Sequence, residues 1–148
     1  MNRRAIRRLG MSFAVAGLLA CSGAFALQQG VTPDGRLFVS GGVSDAEIAA
    51  LQSRRPEFSL WIVTAASRSG AYLADARVTI TSEARQRVVF EGELDGPWLM
   101  IDLPLGRYTV EARVSGQVQK QATTIHAGDH HQMIFRFDTG DEVPQPDR

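Results

Sequence analysis

The stretch GRYTVEARV, residues 106–114, constrains the fold most. Tyr108, Val110, Ala112 and Val114 share one parity, and Arg107, Thr109, Glu111 and Arg113 share the other. Successive side chains of an extended strand point to opposite faces, so this pattern makes a strand with one dry side and one wet side. ARVTITS, residues 76–82, repeats it with Val78 and Ile80, while FSLWIVTAA, residues 58–66, is a continuous apolar run. Turn signals at Ser69-Gly70, Asp95-Gly96-Pro97, Leu105-Gly106, Ser115-Gly116 and Ala127-Gly128-Asp129 punctuate these runs. They divide the chain into seven expected strands, near 58–66, 76–82, 86–92, 98–103, 107–114, 117–125 and 131–137. Short strands at this spacing predict an all-β antiparallel sandwich.

The segment before residue 58 reads differently. LQQGVTPDGRLFVSGGV, residues 27–43, carries a turn at Thr32-Pro33-Asp34-Gly35 and one short apolar stretch, Leu37, Phe38 and Val39. It predicts a lead-in arm with a single edge strand. Ser44 and Glu47 then have capping-box spacing: the Ser44 hydroxyl accepts from the Glu47 amide, and the Glu47 carboxylate reaches back to the Ser44 amide. A helix over 45–54 follows, with Ile48 and Leu51 on one face and Pro56 barring its continuation. At the other end, residues 138–148 hold two prolines and no periodicity, which predicts a disordered tail.

Arg3, Arg4, Arg7 and Arg8 precede an uncharged run over residues 9–27, the anatomy of a secretory signal peptide spanning 1–26. Ala24 and Ala26 supply the small residues at −3 and −1 for cleavage after Ala26. Leu18-Leu19-Ala20-Cys21 offers the alternative of lipid attachment at Cys21. The first route gives a periplasmic or secreted protein, the second an outer-membrane lipoprotein, and cleavage after Ala26 is the expectation. That cleavage removes four Arg and no acid, so the formal charge moves from 0 to −4. This balance excludes nucleic acid as an electrostatically expected partner, and a membrane partner is expected only with lipidation at Cys21. Cys21 is the only cysteine and Asn2 the only asparagine, so the processed chain has no intrachain disulfide and no N-glycosylation site.

Two phrases carry more than strand propensity. SGAYLADARVTI presents Gly70, Leu73, Ala76, Val78 and Ile80; DLPLGRYTVEA presents Leu103, Pro104, Gly106, Tyr108, Val110 and Ala112. Together they resemble the carboxypeptidase regulatory-like domain, over about residues 58–137. The resemblance implies a transthyretin-like (prealbumin-like) seven-stranded antiparallel Greek-key sandwich, here with one short N-terminal helix. The chain departs from the family pattern at LDGPWLMID, where Pro97 stiffens a strand entry. Modules of this kind usually position or present something rather than catalyse. The parent enzymes' zinc peptidase domain has no room in this length, and no His-x-x-Glu pair occurs.

Other chemistry is sparse. His126, Asp129, His130 and His131 cluster in HAGDHH and could ligate zinc, copper or nickel, although adjacent His130 and His131 face opposite ways in a strand. In PWLMIDL, Leu99, Ile101 and Leu103 share one face, while Trp98 and Met100 share the other. If Trp98, Met100 and Trp61 face away from the sandwich core, they form a partner patch unless the 45–54 helix covers them. Enzymes on transthyretin-like folds are not matched. The C-terminus VPQPDR lacks a Tyr-Arg-Gly-Ser type ending, and Tyr72, Tyr108 and the histidines do not have the spacing of a two-Tyr, two-His iron site. No serine sits in a nucleophile elbow. The expectation is an exported, non-catalytic binding or accessory module of the bacterial cell envelope, without cofactor, whose partner is a protein or envelope component. The alternative is a small periplasmic metal-binding protein using the HAGDHH turn.

Overall fold

The computed structural model describes residues 27–140. Among them are nine strands: β1 (Gln28–Val31), β2 (Leu37–Gly41), β3 (Leu60–Ala66), β4 (Arg77–Ser82), β5 (Arg87–Glu93), β6 (Trp98–Ile101), β7 (Gly106–Val114), β8 (Gln117–Ile125) and β9 (His131–Phe137). Helix α1 (Asp45–Arg54) runs into a 3-10 turn, Arg55–Glu57. The strands form one sheet of order β1-β2-β6-β3-β9 and a second of order β5-β4-β7-β8.

Seven sandwich strands were expected after residue 58, with one edge strand in the N-terminal arm; the arm supplies two, β1 and β2, which brings the described strands to nine. Thr32 donates its amide to the Arg36 carbonyl and accepts from the Gly35 amide, both at 2.8 Å. Gly35 takes a positive φ of 78°, so the predicted turn closes a hairpin that pairs Gln28–Val31 with Leu37–Gly41 instead of leaving one edge strand. Nor is the sandwich antiparallel throughout. β3 and β9 run parallel, Leu60 beside His131 through Ala66 beside Phe137, because the 126–130 turn carries the chain from the second sheet to the first.

The two sheets close on a core whose parity follows the sequence. Tyr108, Val110, Ala112 and Val114 meet Val78 and Ile80 from one sheet, and Ile62, Leu99, Ile101, Met133, Phe135 and Phe137 from the other. Each large aliphatic or aromatic side chain buried there contributes about 1.5–3 kcal/mol. A second apolar layer lies on the outer face of the five-stranded sheet, where Val39, Trp61, Val63, Trp98 and Met100 are covered by Leu51 of α1 and by Phe58.

α1 begins as expected, with Ser44 Oγ accepting from the Glu47 amide at 3.2 Å. The return arm of the cap is different. Glu47 Oε2 accepts from the amides of Gly42 (3.1 Å) and Val43 (2.9 Å), not from Ser44, and ties the helix to the end of β2. This reach depends on Gly42, at φ 95°, where a side chain would come within 3.1 Å of the Trp98 ring.

Candidate functional site

Trp61 and Trp98 do point away from the inter-sheet core, with ring centroids 4.5 Å apart, and Tyr72 meets Trp98 edge-on at 5.9 Å. The patch nevertheless is not exposed: Trp61 retains 8% of its accessible surface, Trp98 2% and Met100 none. Leu51 and the half-buried Ile48 of α1 cover them, and the Arg55 guanidinium lies over the Trp61 ring at 4.7 Å. Of the two readings open for Trp61, Trp98 and Met100, an exposed partner patch or a face covered by the 45–54 helix, the structure shows the second, and the partner patch is replaced by a packed layer. Burying two indoles here leaves both Nε1–H groups without a hydrogen-bond partner among the described residues.

The second nominated region, the histidine turn, lies in an open cleft of about 300 Å³ at one end of the sandwich. Three chain segments build it: Pro56 to Ser59 entering β3, Asp102 to Leu105 between β6 and β7, and the turn from Ile125 to His130. The parallel pairing of β3 with β9 brings the first and third together, and the His131 amide donates to the Ser59 carbonyl at 2.9 Å. Ser59 Oγ joins the second: it accepts from the Leu103 amide at 2.8 Å and donates to the Leu103 carbonyl at 3.1 Å. Engaged on both sides, this hydroxyl is a strut rather than a nucleophile. Tyr108 braces the same rim, its hydroxyl donating to the Pro104 carbonyl at 2.8 Å, and burial pushes that phenol's pKa up.

Within the turn, Asp129 Oδ2 accepts from the His126 amide at 2.7 Å and lies 3.2 Å from His126 Nδ1. The backbone amide, and then the imidazole, hold the Asp129 carboxyl below the usual carboxylate range. A carboxylate oxygen only accepts, so Nδ1 is the donor of this pair, and the exposed His126 ring presents its Nε2 for contact with a bound group. His130 turns the other way, Nδ1 lying 2.9 Å from the Phe58 carbonyl, and His131 opens β9 with an exposed side chain. Thus His126 and Asp129 are brought together, while His130 and His131 do not join them. Among the described residues, no group of three or more His, Cys, Asp or Glu side chains is placed to hold a metal ion.

The cleft also contains residues that the sequence did not nominate. Leu105 projects from its rim with 66% of its surface exposed, and Pro56 and Pro104 stiffen two of its walls. The Pro-Leu-Gly turn was visible as a turn, but nothing in the periodicity placed it beside His126. The cleavage residues Ala24 and Ala26, the alternative lipidation site Cys21 and tail residues 141–148 lie outside the described residues. Among the described residues, no helix is long and apolar enough to cross a membrane. No protein-family model matches the chain, and a comparison with curated proteins finds no match.

Proposed function

We propose that the protein is an exported, non-catalytic binding or accessory module of the bacterial cell envelope, and that it engages its partner through the cleft at the 56–59, 102–105 and 125–130 end of the sandwich. In this reading the sandwich is a prealbumin-like Greek key of the carboxypeptidase regulatory-like kind, and its partner is a protein or another envelope component. One observation carries the choice of surface. The cleft combines a braced backbone, an exposed apolar projection at Leu105 and an oriented, solvent-facing imidazole at His126. Scaffolded loops with such mixed chemistry are where binding residues concentrate. The Arg-rich leader and the Ala24 to Ala26 site support export, and the leader's fate decides whether the module is free or tethered through Cys21.

The test is capture of partners from detergent-solubilised envelope extract, comparing the wild-type chain with Leu105→Asp and His126→Ala. The reading expects bands retained by the wild type and lost from both variants; retention by both variants contradicts it. Titration calorimetry with Zn²⁺ and Cu²⁺ tests the metal alternative, which predicts binding that His126→Ala removes. Mass spectrometry of the mature N-terminus distinguishes Leu27 from a lipid-modified Cys21.

A further inference from the structure

The seam between β8 and β9 is built unlike any other contact between strands among the described residues. β8 ends one sheet and β9 ends the other, and among the described residues neither has a second strand paired to its backbone. Instead, three side chains of β8 cross the gap. Gln117 Nε2 donates to the Asp138 carbonyl, Gln119 Nε2 to the Arg136 carbonyl, and Gln121 Nε2 to the Ile134 carbonyl at 3.2 Å. Gln117 Oε1 also accepts from the Asp138 amide at 3.3 Å. The order is that of an antiparallel hairpin, with side-chain amides standing where ladder hydrogen bonds would run. These glutamines share the inward parity of β8: they lie opposite Val114, Ala112 and Val110, all in the core. Polar residues at that parity gain by being at the edge, where they reach carbonyls that the core would otherwise leave bare.

The other edges have different protection. β1 has only four residues, and β5 carries a register shift opposite Ile80 and Thr81 and is rich in charge. Short length, bulges and charge all discourage pairing with another chain. β9 is neither short nor bulged, and Arg136 is its one permanently charged side chain. It has seven residues, with apolar Met133, Phe135 and Phe137 on one face, and Ile134 is 40% exposed on the other. Paired antiparallel with a second copy about Ile134, it would place Met133 opposite Phe135 of that copy, Gln132 opposite Arg136, and Ile134 opposite itself. No like charges meet in that register.

We propose that Gln117, Gln119 and Gln121 form a latch over a self-complementary edge, and that it prevents β9 from pairing with β9 of a second copy of this chain. The latch makes the protein a monomer; its loss produces a two-fold dimer through continuous five-stranded sheets. Sedimentation velocity on the full mature chain, wild type against Q117A/Q119A/Q121A, tests this together with hydrogen exchange at the amides of Ile134 and Arg136. The wild type is expected to stay monomeric, whereas the triple variant doubles its mass as concentration rises and protects those two amides in step. Adding Ile134→Lys should return the variant to monomer, since two lysines would then face each other. A triple variant that is folded by circular dichroism yet monomeric at every concentration overturns the proposal, as does a wild-type dimer with protected β9 amides. If the triple variant does not fold, Q119A decides on the same two readouts, with dimer supporting the latch and monomer refuting it.

Discussion

The covered tryptophan face and the open cleft at the end of the sandwich differ in what lies over them. Both were visible in the sequence as unusual clusters, one of Trp61, Trp98 and Met100, the other of His126, Asp129, His130 and His131. The first became a second core because α1 offers Leu51 and Ile48 to it, and Phe58 and the Arg55 guanidinium add to the cover. The second stays open because its three walls are turns, whose backbone groups are satisfied by Ser59, Tyr108 and Asp129 rather than by another layer of structure. Residue type alone does not mark a binding surface. What matters is whether another element lies over it.

The sharpest way to break this contrast is to remove the cover. Leu51 is fully buried, and Leu51→Ala should cost about 2–5 kcal/mol in denaturant unfolding, the range for emptying an aliphatic core site. The tryptophan emission should shift to the red as α1 loosens. At the cleft, by contrast, Leu105→Ala should stay within roughly 0.5 kcal/mol of wild type, as an exposed side chain does. If Leu51→Ala leaves the emission unchanged, the helix is not what dries the aromatic face.

Next in size is the tie that fixes the cover. Glu47→Ala leaves the buried Gly42 amide and its neighbour at Val43 without their acceptor, and about 1–3 kcal/mol should be lost. Glu47→Gln, which keeps an acceptor oxygen, should lose less. Equal losses in the two would show that charge, not hydrogen bonding, holds the helix.

On the cleft side, Tyr108→Phe removes the brace to Pro104 and should cost about 1 kcal/mol, with little change in tryptophan emission. The smallest effect belongs to Asp129. Its carboxyl is held below the usual range in the folded protein, so its contribution is full above the ordinary aspartate pKa and lost as pH falls through the lower folded value. The melting temperature of Asp129→Asn should therefore lie slightly below wild type at neutral pH, and the difference should vanish in acid. A gap that widens toward low pH would reverse the assigned role.

Much of the strand pattern was legible because β4, β7 and β9 each have one side in the core, and a parity of two survives whatever the strand pairs with. The helix over 45–54 was legible through Ser44 and Pro56, and the opposite facing of Leu99 and Trp98 was readable from PWLMIDL. Three things were not. The hairpin partner Gln28–Val31 has no alternating apolar residues, since β1 is a largely exposed edge. The parallel pairing of β3 with β9 joins residues about seventy positions apart and leaves no local trace, yet it is what sets Ser59 beside the histidine turn. The glutamine seam did leave a trace, three polar residues at the inward parity of β8, but the meaning of that parity depends on knowing that β8 ends a sheet.

The comparison of the two faces can be tested in one experiment. Nitrogen-15 labelled protein is titrated with solubilised envelope extract while backbone amides and both indole Nε1–H resonances are followed. The account predicts shifts at Leu105, His126 and their neighbours around the cleft, with the Trp61 and Trp98 indoles unmoved. Shifts at the indoles with a silent cleft would contradict it and return the binding surface to the aromatic face beneath α1.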